Sequence, residues 1–416
     1  MTRQALTGVR ILDFSWIVAG PMATKWMAAN GAQVIKVESI QERLDDLRQD
    51  PGPQREGQPL RGVSGMQINA NPGKLSIGLN MNKPSAQAIA RRLAAISDVV
   101  LDNFSPPVMP KWSLSYEELR TINPQIIVAR MPGLGLTGPH AHYRGLGSYF
   151  QARTGLDSLT GFPHRPTVDL GYAYPDGACN PDHIATAILA ALHHRNRTGK
   201  GQFIELSQFE SAVNFLETAL FEYLVNGTER TRWGNRHPTA APHGIYRCLP
   251  TPGHPGPDDS WCAITVFNDT EWGALCRALG HPEWQADPRF ATLPARKKHE
   301  DELDAAITEW TSTKTPHEVM ELLQTTGVIA GAFQDHSDLL GSDPQMAHRG
   351  FYVELEHAEM GRLHHESMPY RLSATPWRLD RPAPISGQET DWVLQEILGI
   401  PEEEVNQYVI ERAVMA

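Results

Sequence analysis

Within its first 130 residues the chain alternates apolar strand-like runs with helical ones, and this alternation constrains the fold more than any other feature. Val9 to Phe14 reads as a strand, Gly20-Pro21 breaks it, and Met22 to Ala29 carries helix-forming residues before a second strand at Gln33 to Val37. A strand at Leu75 to Leu79 follows, then a helix at Ser85 to Ile96 with apolar Ala86, Ile89, Ala90, Leu93 and Ile96 on one face. Strands near Asp98 to Leu101 and Ile126 to Ala129 come next. Strands separated by helix-length segments cannot close as hairpins. They imply a parallel sheet covered by helices on both faces, an α/β fold.

From Gly133 to Asp182 the texture changes to Gly, Pro, Thr and Tyr with little helical period, as expected of loops that carry function. Asn180-Pro181-Asp182 then reads as an N-cap, a proline in the first turn and a first-turn acid opening the apolar helix Ile184 to Leu192. A turn at Thr198-Gly-Lys-Gly201 leads to a short strand, Gln202 to Leu206. Ser207-Gln-Phe-Glu210 fits a capping box for a helix with apolar Phe209, Ala212, Val213, Leu216, Leu220 and Tyr223, ending at Asn226-Gly227. Residues 228–325 read as a smaller second domain, with a strand at Trp261 to Phe267 and helices at Thr270 to Leu279 and Pro316 to Thr325. A terminal helix is expected at Glu389 to Leu398.

Bulk properties exclude several classes. A net charge of −11 argues against nucleic acid as the main partner, and no apolar run is long enough for a membrane helix. Met1-Thr-Arg-Gln4 leads straight into the first strand without the apolar core of a signal peptide, so a cytoplasmic location is expected. Cys179, Cys248, Cys262 and Cys276 are far apart and read as buried free thiols. The His193-His194 and His364-His365 pairs lack the spacing of a metal motif, and no metal is expected. Glu38 stands where a dinucleotide-binding acid would, but the first turn, Trp16-Ile-Val-Ala-Gly-Pro21, lacks the three glycines that admit a pyrophosphate. Neither a phosphate-binding loop nor a serine-nucleophile elbow occurs. Asp176, in Tyr174-Pro-Asp-Gly177, precedes a helix start that would favour an ionised carboxylate; by residue type alone it is more often a turn residue than a nucleophile.

Several ordered segments resemble the class III coenzyme A transferases, the family of formyl-CoA, carnitine and benzylsuccinate CoA-transferases. They are Leu6-Thr-Gly-Val-Arg-Ile-Leu-Asp13, Ala19-Gly-Pro21, Gly31-Ala-Gln-Val-Ile-Lys-Val-Glu38, Lys74-Leu-Ser-Ile-Gly-Leu79, Val100-Leu-Asp-Asn-Phe104, Ile122-Asn-Pro124 and Gly133-Leu-Gly-Leu-Thr-Gly-Pro139. Ile188-Leu-Ala-Ala-Leu-His-His-Arg195 through Glu210, and Asp343-Pro344 to Phe351, complete the likeness. The resemblance implies an aspartyl nucleophile at Asp176, with Asp169 and Asp182 as rivals; the stretch after Asp176 is one residue longer than the family's usual one. It implies that Ile17, Val18, Ala19, Leu79, Asn103, Phe104, Lys111 and Arg144 line the coenzyme A site, the two cations serving phosphates.

Coenzyme A is then a co-substrate, no cofactor is permanently bound, and the partners are an acyl-CoA donor such as succinyl-CoA and an organic acid acceptor. Val18 replaces a glutamine of formyl-CoA transferases, and their glycine-rich loop is not visible around Asn235 to Gly244, which disfavours formyl-CoA and oxalate. Leu146 replaces the acid–base histidine of related α-methylacyl-CoA racemases, which disfavours proton transfer. Trp233, Tyr246, Trp261 and Phe267 are candidates for an acyl pocket or for core. The resemblance further implies a Rossmann-like large domain from 1–205, a linker helix 206–227, a small α+β domain 228–325, and 326–416 returning to the large domain. The assembly implied is an interlocked homodimer, or a hetero-oligomer with a related chain in which this chain could be the non-catalytic subunit.

Overall fold

In a computed structural model, residues 3–39, 54–55, 58–59, 64–171, 174–251 and 260–415 are described. They fall into two compact units, one of Met1–Asp157, Asp169–Glu229 and Met346–Ala416, the other of Ser158–Val168 and Arg230–Gln345. The first unit is built on a six-stranded sheet, β1 (Arg10–Asp13), β2 (Gln33–Ser39), β3 (Leu75–Leu79), β4 (Val99–Asp102), β5 (Ile127–Arg130) and β6 (Phe203–Glu205). The spatial order is β3-β2-β1-β4-β5-β6 and every pairing is parallel. The expected mixed α/β fold with a parallel sheet is therefore present.

Side chains leave a strand alternately to its two faces, and both faces here are covered. Ile11, Val34, Val99, Leu101, Ile127 and Ala129 pack on α1 (Ala19–Ala29) and on α4 (Cys179–Thr198). Leu12, Ile35, Ile77, Val100 and Val128 pack on α2 (Pro84–Ala95) and on Val393, Leu394 and Val405 from the end of the chain. That end also covers the edge strand: Met415 N–H donates to Gly78 O at 3.1 Å, and Ser76 N–H donates to Glu389 Oε2 at 2.8 Å. An edge capped this way offers no free ladder to another chain.

The stretch 133–182 is mostly loop among the described residues, but it also contains α3 (Gly147–Thr154) and the single turns Leu156–Leu159 and Tyr174–Gly177. Two local expectations are corrected. Helix α4 starts at Cys179 after Ala178, with no side-chain cap; Asn180 lies inside it because its side chain is engaged elsewhere. The terminal helix is one turn, Thr390–Trp392, continued by a π-type turn, Val393–Ile397, and a further helix, Glu402–Ile410, follows.

Ser207 does accept from the Glu210 N–H, opening α5 (Gln208–Val213). A tight turn at Asn214–Leu216 then separates α5 from α6 (Glu217–Asn226). Ala212 and Leu216 are buried, but Leu220, Phe221, Tyr223, Leu224 and Val225 are exposed on the single chain.

The second unit holds a three-stranded antiparallel sheet with Trp261–Thr265 between His243–Arg247 and Ile329–Ala332. Its core joins Tyr246, Cys262, Ile264, Trp272, Leu275, Leu303 and Ile307. Tyr246 thus serves packing, with its hydroxyl donating to Asp304 at 2.7 Å, while Phe267 is exposed. All four cysteines are buried free thiols. Among the described residues no helix is long and apolar enough to cross a membrane, and no three metal-ligating side chains converge.

Candidate active site

In an open parallel sheet the loops leaving two neighbouring strands diverge where the strand order reverses, and the crevice between them takes ligands. Here that point lies between β1 and β4. The loop after β1 is fixed by Asn103, just beyond β4: its Oδ1 accepts from Trp16 N–H at 2.9 Å and its Nδ2 donates to Trp16 O at 2.8 Å. Phe104 meets Trp16 edge-on at 4.9 Å and Trp112 at 5.6 Å. Ile17 has φ of 67°, a left-handed conformation that a β-branched residue adopts only under constraint. Gly20 permits the close seat of α1, because a Cβ there would lie 2.3 Å from Ser15 Cβ.

Beneath the loop is a buried ionic cluster. Asp13 is fully buried and accepts from Ser15 N–H at 2.8 Å, from the Ser15 hydroxyl, and from the Thr24 hydroxyl at 2.5 Å. Lys74 Nζ lies 3.4 Å from Asp13 and donates to Pro21 O and Asn71 Oδ1, each at 2.8 Å. Lys36 Nζ donates to Ser15 O at 2.7 Å. Burial pushes the Asp13 carboxyl up, but Lys74, Lys36 and the two hydroxyls outweigh it and hold the group below its usual range.

Two clefts share the wall made by Trp16 and Phe104. One is bounded by Phe14, Val37, Glu38, Leu79, Asn80 and Trp112. The other contains Asp176 together with Ile17, Val18, Ala19, Asn103, Leu146, Phe150 and Gln208. Six of the anticipated coenzyme-site residues therefore line one or both clefts: Ile17, Val18, Ala19, Leu79, Asn103 and Phe104. Lys111 and Arg144 do not. Both are exposed, next in sequence to Trp112 and Gly145 respectively.

Asp176 sits in the single turn Tyr174–Gly177, immediately before α4, and is 8% exposed. Its carboxylate accepts from Asn180 Nδ2 at 3.3 Å and from the Gly147 backbone N–H. Burial raises its pKa to about 6, and these two donors only partly offset the desolvation. The rival Asp169 is exposed and accepts from Gly171 N–H at 2.6 Å, as a turn residue does; Asp182 is exposed in the first turn of α4.

Trp16, Gly147, Phe150, Asn180 and Gln208 were not singled out as site residues in the sequence. Only Asn180 carried a readable signal, its four-residue spacing from Asp176, and its position before a proline masked that signal as a cap. Gln208 comes from beyond β6, and nothing local marks it.

The profile of CoA-transferase family III matches residues 6–390. The chain belongs to that family. It is 33% identical to the succinyl-CoA–D-citramalate CoA-transferase of Chloroflexus aurantiacus, covering 98% of each chain. It is also 33% identical to the succinate–glutarate CoA-transferase of Agrobacterium fabrum, over 94% of this chain and 95% of that one. Among solved structures, a CAIB/BAIF family protein from Brucella suis superposes with a TM-score of 0.84 at 31% identity, covering 95% of this chain and all of that one. The resemblance read from the motifs thus holds across nearly the whole chain, and with it the class of enzyme, a class III CoA-transferase.

Proposed function

We propose that this family III enzyme moves coenzyme A from an acyl-CoA donor to a carboxylic acid through covalent intermediates on Asp176. One observation carries the reading: a buried carboxylate with amide donors and, among the described residues, no paired cation opens into the cleft at the strand-order reversal. With a pKa near 6 it is mostly ionised at neutral pH, yet poorly solvated. It attacks the donor thioester carbonyl, the C–S bond breaks, and an aspartyl-acyl anhydride and CoA thiolate result. The thiolate attacks the aspartyl carbonyl, releasing the donor acid and leaving an aspartyl-CoA thioester. The acceptor carboxylate repeats the two steps in reverse, so the thioester bond is conserved without ATP.

Coenzyme A is read across both clefts, its thioester end beside Asp176 and the nucleotide end near Leu79 and Trp112. Lys111 and Arg144, exposed and next in sequence to the lining residues Trp112 and Gly145, are then the cations for its phosphates. Succinyl-CoA is the donor to try first, because two relatives carry succinyl-CoA or succinate in their names. A homodimer is the proposed assembly, supported by the exposed apolar residues of α6. The layout read from the motifs, a large domain from 1–205 and 326–416 with 228–325 inserted after a linker helix, belongs to the same reading. Leu146, 60% exposed and lining the Asp176 cleft, speaks against a racemase because an alkyl chain moves no proton.

Succinyl-CoA offered with a panel of mono- and dicarboxylic acids in D2O tests this. Transfer is expected with succinyl-CoA; α-deuterium incorporation into a single enantiomer of a 2-methylacyl-CoA, with loss of its configuration and no transfer from any donor, would establish the racemase instead.

A further inference from the structure

The polarity of the side chains behind Asp176 is fixed by a backbone carbonyl. Gln208 is 6% exposed and lies 2.7 Å from Met131 O through its Nε2. A carbonyl only accepts, so Gln208 must turn its amide nitrogen toward Met131 and its Oε1 away. Asn180 is fully buried, and its Nδ2 lies 3.5 Å from that Oε1 and 3.3 Å from Asp176 Oδ1. Both neighbours are acceptors, and one amide NH2 has a proton for each. Rotating the Asn180 amide by half a turn would set its oxygen against two oxygens. The structure accepts the remaining consequence, since Asn180 Oδ1 is buried without a hydrogen-bond partner among the described residues. An orphaned acceptor at a fully buried site is uncommon and is tolerated only where something else fixes the side chain.

We propose that Asn180 is a positioning residue for Asp176, locked donor-first by Gln208 and Met131 so that it keeps the carboxylate ionised and aimed into the cleft. The inference rests on the reading of Asp176 as the nucleophile. Its physical basis is that, among the described residues, Asn180 and the Gly147 N–H are the donors to this carboxylate and no cation offsets its burial. A donor to the ionised form lowers a carboxyl pKa, and its loss leaves desolvation less opposed. Because Asn180 sits one turn after Asp176 in the chain, the two move together. Gln208, brought in by α5, supplies the lock from outside that segment.

The test reads the midpoint of Asp176 directly, without substrate, from the infrared carboxyl titration of each protein minus that of its own Asp176→Asn counterpart. Asn180→Leu and Gln208→Leu are made singly and together in the full chain, with folding checked by circular dichroism. The midpoint is expected to rise by about one pH unit in Asn180→Leu, less in Gln208→Leu, and no further in the double variant than in Asn180→Leu. In parallel, the pH dependence of hydroxylamine trapping at Asp176 with succinyl-CoA should shift by the same amount. An unmoved midpoint in Asn180→Leu, or shifts that simply add in the double variant, would overturn the relay. Should Asn180→Leu not fold, Asn180→Ala is read by the same criteria. Absence of trapping at Asp176 in the unaltered protein overturns the nucleophile reading instead, and the infrared midpoint still decides whether Asn180 acts on the carboxylate.

Discussion

Asp13 and Asp176 are both buried carboxylates close to the loop that follows β1, but their surroundings differ in kind. Asp13 is met by two hydroxyls, a backbone N–H and the ammonium of Lys74, and its pKa is lowered. Among the described residues Asp176 is met by one side-chain amide and one backbone N–H, with no cation, and its pKa is raised to about 6. A carboxylate surrounded by charge and hydroxyls is a fixed strut. One held by neutral donors alone keeps free energy in its ionised form that a reaction can draw on, and Asp176 is the one that borders a cleft.

The largest effect expected from this contrast is on activity. Asp176→Ala should lower CoA transfer by about a thousandfold or more, while the urea midpoint stays the same or rises, since a desolvated charge is removed. Asp13→Asn should do the opposite. It should cost about 1–3 kcal/mol of stability in urea titrations, because Ser15 and Thr24 lose an ionised acceptor and Lys74, whose pKa burial already lowers to about 7, sheds its proton once Asp13 is gone. Transfer per folded molecule should be affected far less than in Asp176→Ala.

The two groups also carry opposite pH slopes. Asp176 binds its proton more tightly in the folded chain, so its contribution to stability falls as pH rises from about 4 to 6. Asp13 binds its proton less tightly when folded; its contribution is complete above its usual value of 3.8 and is lost as pH falls through the lower folded value. Denaturation midpoints against pH for Asp176→Asn and Asp13→Asn, each subtracted from the unaltered protein, should therefore slope in opposite directions. The Asp176 difference should reach about 3 kcal/mol by pH 7. Slopes of the same sign would collapse the distinction.

The smallest effect concerns the loop between the two carboxylates. Ile17→Gly relieves a left-handed β-branched residue and should stabilise the protein by about 0.5 kcal/mol in thermal or urea unfolding, after the flexibility cost of glycine. Because the loop then loses definition, KM for the CoA ester should rise. A destabilised Ile17→Gly would show that the side chain's packing outweighs the strain.

How much of this could be read in advance depended on the range of the interactions. Leu75–Leu79 was legible to the residue, because a fully buried strand is a continuous apolar run between turns. The parallel sheet followed from the alternation, but not its order, which is set by pairings such as Ile11 with Val99 across 88 positions. α3 escaped because Gly147–Thr154 has a weak apolar stripe, with only Gly147, Phe150 and Gln151 buried. α6 misled in the other direction, since its apolar residues have helical spacing yet remain exposed on the single chain. Asp176 looked like a turn residue by type, and only chain-wide resemblance raised it; the burial and the amide lock that distinguish it depend on Gln208, 32 residues away and beyond another strand.

The central claim is that Asp176 carries the transferred groups, and the most direct measurement is to find them there. The full-length protein incubated with succinyl-CoA, quenched with hydroxylamine and digested should yield one peptide whose modification maps to Asp176 and disappears in Asp176→Ala. A modification mapped to Asp169, Asp182 or Glu38, or transfer that proceeds with no modified carboxylate at all, would contradict the account.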